Sequence, residues 1–297
     1  MMKTLLIANF LFLCVLLHAQ PSIVGTIIDT EKQLPVAYAS LGFEGLTHGT
    51  ISNSDGKFKL PLPEGIDQKA KIQISCIGYE TFEISFDQLQ QNSTIQLQPS
   101  ITQLNEVAVF SKNKKGKKPN KIKSKKLGKS STFLPLFHAY YSIWGENDPN
   151  NLGREKGMIY PIKSLGKVNS LNFHISSNNY RLIKFRLKFY TIEKGKPTTL
   201  LHQKDILFDL EDSFLGWYQL DLSAYDIILQ PSQKKVGVAL QWVDSEQQNE
   251  GRRFFSISAA IGTSPGYFFK EDVFEKWIIK KGKLNMYVDV LPMDASR

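Results

Sequence analysis

The sequence predicts an all-β chain: a small β-sandwich, a lysine-rich linker, then a larger jelly-roll-like β-sandwich. Three observations predict it. From residue 22 to 110, short apolar runs alternate with Gly, Pro, Asn and Asp clusters at sandwich-like spacing, with no helical period. From 111 to 130 there are ten lysines and no acid. From about residue 133 the apolar residues recur at every second position, as on a sheet with one wet face.

The N-terminus carries Lys3 and an apolar run from residue 5 to 17, ending in Leu17-His-Ala19 before Gln20. That run falls short of the roughly 20 residues a membrane-crossing helix needs. A small residue before Gln20 suits signal-peptidase cleavage, so 1–19 reads as a secretory leader and the protein as exported. Cys14 follows the bulky Phe12 and Leu13, a poor setting for lipid attachment, and its loss with the leader leaves Cys76 alone. Within Ile72-Gln-Ile-Ser-Cys-Ile77, Cys76 reads as a small buried hydrophobe.

In 20–110 the strand candidates are 23–28, 36–41, 57–60, 71–76, 81–86, 94–97 and 106–110. In Gly49-Thr-Ile-Ser-Asn-Ser-Asp-Gly-Lys-Phe-Lys-Leu60, the segment Ser54-Asp-Gly56 supplies a tight turn between two strands. Phe58 and Leu60 then alternate with Lys57 and Lys59. Gly25-Thr-Ile-Ile-Asp29, Leu34-Pro-Val-Ala-Tyr-Ala-Ser-Leu41, the 49–60 turn segment and Ser75-Cys-Ile-Gly-Tyr79 occur in that order. Together they resemble the carboxypeptidase-regulatory-like domain. The resemblance implies a small transthyretin/Ig-like β-sandwich of the kind that precedes the plug of TonB-dependent outer-membrane receptors. Leu104-Asn-Glu-Val-Ala-Val109 is similar to the lead into such a plug. The 187 residues beyond 110 cannot hold a plug and a receptor barrel. The resemblance implies no peptidase activity either, because His48, His138, His174 and His202 are far apart and none has a Glu three residues on.

Residues 111–132 read as a flexible linker. Like charges this dense repel and resist burial. The whole chain carries +9, so everything outside the run sums to −1 and the basic pI belongs to the linker. Lys114, Lys115, Lys117, Lys118, Lys125 and Lys126 are candidate contacts for anionic lipid or envelope glycan; the alternative is a solvating spacer. No aromatic residue interrupts the lysines to stack a base, so nucleic acid is not an expected partner.

In 133–297 the clearest alternations are Leu171, Phe173, Ile175; Ile183, Phe185, Leu187, Phe189 against Lys184, Arg186, Lys188; Val236, Val238, Leu240, Trp242; and Leu284, Met286, Val288, Val290. Strands near 158–163, 206–210, 217–222 and 253–261 complete a sandwich, with a turn at Lys280-Lys-Gly-Lys283. The 216–223 and 236–243 runs resemble paired strands of carbohydrate-binding jelly rolls. Gly262-Thr-Ser-Pro-Gly266 matches the nucleophile-elbow pattern, but Pro265 has no N–H to give an oxyanion and no His follows His202; it reads as an inter-strand loop. Asp209, Glu211 and Asp212 read as a solvated turn, without calcium-loop spacing.

The candidate ligand residues are Trp217, Gln219 and Asp221, which alternation places on one face opposite Tyr218, Leu220 and Leu222, together with Tyr141 and Trp144 from the aromatic cluster Phe137, Tyr140, Tyr141, Trp144. The commoner alternative for that cluster is a first core strand or a cap on the sandwich. No catalytic residue, metal or cofactor is indicated. The reading is an exported, non-enzymatic binding or scaffolding protein of a Gram-negative envelope, in the periplasm, at the outer membrane or on the surface. Its candidate partners are glycan, anionic lipid or an outer-membrane protein. The alternatives are a carbohydrate-binding accessory protein acting through the second sandwich and a hydrolase with an unrecognised site. If the lysine run attaches electrostatically, sedimentation with anionic vesicles falls steeply as salt is added and disappears on deletion of 111–130. Unchanged binding after that deletion excludes attachment through the run.

Overall fold

The computed structural model describes residues 21–46, 49–100, 123–132, 137–141, 152–248 and 254–293. The leader, the 106–110 strand and most of the lysine run lie outside them. The first unit contains β1 (Ser22–Asp29), β2 (Ser40–Phe43), β3 (Gly49–Ile51), β4 (Lys57–Pro61), β5 (Lys71–Ser75), β6 (Phe82–Ser85), the short helix α1 (Phe86–Gln91) and β7 (Thr94–Leu97). Two sheets form, ordered β4-β1-β7 and β3-β2-β5-β6. Ile27, Leu41, Phe43, Phe58, Leu60, Ile72, Ile74 and Leu97 fill the space between them. Helix α1, absent from the sequence reading, closes this core with Phe86 and Leu89. Ser85 and Gln88 hold its N-terminus in a capping box.

The 49–60 turn forms where the sequence places it. The Asn53 carboxamide oxygen accepts the Asp55 and Lys57 N–H groups at 3.0 and 2.8 Å, and Gly56 takes φ +69°. Its two strands do not pair with each other, however. β3 joins β2 while β4 joins β1, so the segment is a corner between sheets and not a ladder.

The second unit contains β8 (Lys125–Gly128), β9 (Phe137–Tyr140), β10 (Glu155–Pro161), β11 (Gly166–Asn178), β12 (Tyr180–Glu193), β13 (Lys196–Leu200), β14 (Ile206–Glu211), β15 (Gly216–Asp221), β16 (Ile228–Leu229), β17 (Lys235–Gln247), β18 (Phe255–Lys270), β19 (Ile278–Leu284) and β20 (Met286–Pro292). One hydrogen-bonded path links β13-β12-β17-β10-β18-β11-β20-β8. β18 makes this possible. Its N-terminal part pairs with β11 and its C-terminal part with β10, so it passes from one layer of the sandwich to the other. Register shifts between Ala260 and Tyr267 mark the crossing. Phe185, Phe173, Leu240, Trp242, Phe255 and Val288 meet in the core.

Four sequence readings change here. Lys125 and Lys126 belong to the edge strand β8, paired with β20, so the linker ends sooner than 132. The Lys280–Lys283 turn is instead inside β19, and the chain bends at Asn285. Gly262–Gly266 is inside β18 and is neither an elbow nor a loop. Asp209 is a strand residue paired with Lys184.

The two units also touch each other. Lys184, Arg186 and Lys188 alternate as a solvated face would, yet Arg186 is only 1% exposed. The first sandwich covers it: Arg186 donates Nη1 to the Tyr38 carbonyl at 2.7 Å and Nε and Nη2 to both Asp205 oxygens at 2.7 Å. Tyr38 and Ile51 pack on Val243 and Val273, and Gln241 donates to Ser40. The Gly49 N–H donates to Asp272 at 3.0 Å; a Cβ on Gly49 would lie 2.2 Å from Val273 Cγ2, so only glycine admits this approach. Beside Arg186, the buried Glu155 accepts Tyr190 at 2.6 Å and Lys188 at 3.1 Å, with Lys270 at 3.7 Å. Burial raises the Glu155 carboxyl, but the two ammonium groups outweigh it and hold it below the ordinary range. Burial brings Lys188 down to about 8.

Arg186→Met leaves Asp205 and the Tyr38 carbonyl without their donors across this contact. It is expected to lower stability by roughly 3 kcal/mol, because removing one partner strands the other. Urea unfolding measures this; a change within error means the contact contributes nothing.

Candidate functional site

The layer opposite the first sandwich presents the second unit's other outer face. β11 builds it. Leu171, Phe173 and Ile175 enter the core, so Ser170, Asn172, His174 and Ser176 lie on the opposite side of the strand. His174 and Ser176 are half-buried there, whereas neighbouring side chains bury Ser170 and Asn172. Pairing then sets three polar rows. Trp217 lies beside His174; Gln219 beside Asn172 and then Tyr287; Asp221 beside Ser170, then Asp289, then Lys126. Trp217, Gln219 and Asp221 therefore do share one face, and four strands contribute to it.

Aromatic and polar contacts order this face. The Trp217 ring meets His174 and Tyr287 edge-on, each at 5.5 Å between centroids. Lys126 Nζ sits 4.6 Å over the Tyr287 ring. Asp289 accepts Ser170 at 3.1 Å and Asn172 at 3.3 Å, while Asn172 also donates to Ser170. Asp221 accepts the Ser223 N–H, which lowers its carboxyl pKa. A shallow depression of about 450 Å³ is bounded by Asn169, Ser170, Gln219, Asp221 and Ser223. Further along, Ser258 Oγ lies 3.1 Å from His174 Nδ1 and accepts Asn285 Nδ2 at 2.7 Å. Asn285 Oδ1 is buried without a partner. Burial lowers the His174 pKa, so its ring is neutral near pH 7.

Tyr141 is a correction. It is fully buried, donates to the Leu240 carbonyl at 2.9 Å and stacks on Phe255 at 4.8 Å, so it belongs to the core and cannot touch a ligand. Trp144, Lys114, Lys115, Lys117 and Lys118 lie outside the described residues. Lys125 donates to Ser164 at 3.5 Å, whereas Lys126 joins the face. Sequence reasoning missed His174, Asn172, Tyr287 and Asp289. Their alternation with the core residues of β11 and β20 was the available signal; the pairing that brings them beside Trp217 was not. Among the described residues no group of three His, Cys, Asp or Glu converges as metal ligands would.

These features define a class: a two-sandwich, all-β protein with one sheet face used for internal docking and another lined by hydrogen-bonding groups and aromatic rings. The family can be named for the first unit. Residues 23–109 match the family model of the CarboxypepD_reg-like domain, a non-catalytic β-sandwich, and the first sandwich is such a domain. No curated protein matches the chain. Among solved structures, it is similar to a chain of infectious bursal disease virus Gt strain at 9% identity and TM-score 0.27. The match covers 92% of this chain and 65% of that one. A Gx strain chain of the same virus aligns at 10% identity and TM-score 0.24, covering 94% of this chain and 58% of that one. The chain thus spans less than two thirds of either viral chain. A structure titled for the promiscuous specificity of carbohydrate-binding modules of the β-sandwich superfamily aligns at 9% identity and TM-score 0.17. That match covers 80% of this chain and 94% of that one. Likenesses at these scores carry no functional argument.

If the two faces differ as described, Trp217→Ala shifts stability little, whereas Tyr141→Ala costs roughly 3–5 kcal/mol from the cavity it leaves. Thermal unfolding of the two variants checks this; equal losses would refute the division.

Proposed function

We propose that the protein is an exported, non-enzymatic binding or scaffolding protein of a Gram-negative envelope, and that its second sandwich binds glycan on the face around Trp217. One observation carries the reading. A sheet face away from the first sandwich combines the half-buried Trp217 and Tyr287 with the exposed side chains of Gln219 and Asp221 and the half-buried Asp289, over a buried Ser170–Asn172 pair that orders them. Sugars offer apolar C–H faces to aromatic rings and hydroxyls to paired carboxylates and amides, which is the chemistry this face presents. The leader pattern at 1–19 and the CarboxypepD_reg-like domain support the envelope setting. The first sandwich then serves as the scaffold, since its contact with the second is extensive and partly buried.

A hydrolase is the less favoured reading. The Ser258 hydroxyl beside His174 is fully buried, out of reach of a substrate carbonyl.

Glycan-array binding by the full chain, with Trp217→Ala as control, tests the proposal. Losing the ring should weaken binding about tenfold, or roughly 1.4 kcal/mol. Binding that survives Trp217→Ala and Gln219→Ala removes the Trp217 face as the site, and no binding to any glycan on the array removes the glycan reading. An intact Met1 on the secreted protein removes the cleaved leader.

A further inference from the structure

We infer that the cleft between the two sandwiches is a second site, binding a small oxyanion of the phosphate class on Lys188. The cleft holds about 330 Å³ and both units line it. The first contributes Ser40, Ser75 and Cys76, and the second contributes Lys188, Thr199 and Gln203. Among the described residues no carboxylate lines it. Hydroxyl, amide and ammonium donors are what a tetrahedral oxyanion requires, and the carboxylates that touch this lining, Glu155 on Lys188 and Asp205 on Arg186, lie behind it.

Charge points the same way. Asp205 takes two of the Arg186 donors and the Tyr38 carbonyl a third, so Arg186 is neutralised and committed to holding the units together. Glu155, by contrast, faces both Lys188 and Lys270. One carboxylate between two ammonium groups leaves an excess positive charge. On the Lys270 side the Val273 carbonyl at 2.8 Å and the Trp277 ring at 4.7 Å share it, so the place open to an anion is at Lys188. The Lys188 side chain is 11% exposed and reaches the cleft wall. Its bond to Glu155 uses one of three ammonium protons. An oxyanion held there would touch both sandwiches and favour their docked arrangement by mass action.

Cys76 supplies the readout. Its thiol lies on the cleft wall, 3.8 Å from Arg186 Nη2. The full chain is treated with iodoacetamide and modification of Cys76 is followed by peptide mass spectrometry. Inorganic phosphate is raised while chloride keeps ionic strength constant. Phosphate should slow alkylation in a saturating manner, about tenfold at ten times its Kd, and raise the unfolding midpoint. Sulfate should act like phosphate, and acetate should act weakly. Lys188→Met should remove both effects. Thr199→Val and Gln203→Leu, which leave the buried charges in place, should weaken them if Lys188→Met does not fold. The site is overturned if phosphate acts no differently from chloride, or if the folded variants respond as the parent does. Acetate matching phosphate overturns the phosphate class. None of these outcomes depends on the Trp217 face.

Discussion

The Arg186 guanidinium is the interaction on which the arrangement of this protein depends. It sits on the outer side of β12, where alternation would leave a charge in water, and it is instead sealed under the first sandwich. A guanidinium tolerates such burial because its planar fork meets Asp205 with two parallel bonds and keeps a third for the Tyr38 carbonyl. A lysine here could not give Asp205 two parallel bonds and reach the Tyr38 carbonyl as well. The apolar contact of Tyr38 and Ile51 with Val243 and Val273 adds to the same docking, while the Asp205 side chain keeps 27% of its surface open to water. Gly49, whose missing side chain lets Asp272 and Val273 approach, completes the contact at the turn segment that helps define the first sandwich.

This docking makes the two faces of the larger sandwich unequal. One outer face is occupied by a neighbouring domain, with Glu155, Lys188 and Lys270 buried beneath. The other is polar for a different reason. Ser170, Asn172 and Asp289 hydrogen-bond along the sheet, and Trp217, Tyr287 and His174 lie over them. Rings held edge-on by neighbours lose little further freedom when a ligand arrives, so a preordered surface of this kind binds with less entropic loss than a mobile one.

Much of the fold was legible in the sequence because it is written in local signals. The Asn53–Gly56 turn, the inward Phe58 and Leu60, and the alternation of β11, β12, β17 and β20 follow from turn chemistry and period-two burial. What sits on the other side of a strand is not local. Lys184, Arg186 and Lys188 read as solvated because no residue nearby in sequence announces the Tyr38 carbonyl. Tyr141 was open to both a ligand and a core role because its partners Leu240 and Phe255 are about a hundred residues away. The same limit hid Tyr287 and Asp289 from the Trp217 site, since register across a bulge at Val168–Ser170 decides which side chains meet. The pattern located the candidate strand correctly and left its neighbours blank.

The lysine run shows how such a limit can change a reading of function. By composition it is a spacer, and its net charge accounts for the basicity of the whole chain. Yet its last part is not spacer at all. Lys125 and Lys126 enter the sheet as β8, because pairing with β20 satisfies backbone groups that would otherwise end the ladder. Alternation then turns Lys126 toward Tyr287, where its ammonium lies over a ring that also touches Trp217. Salt screens charges in water beyond about 10 Å, but it acts less on a pair as close as Lys126 and the Tyr287 ring, 4.6 Å apart. The electrostatic segment and the aromatic face are therefore physically continuous, joined through one strand of four residues.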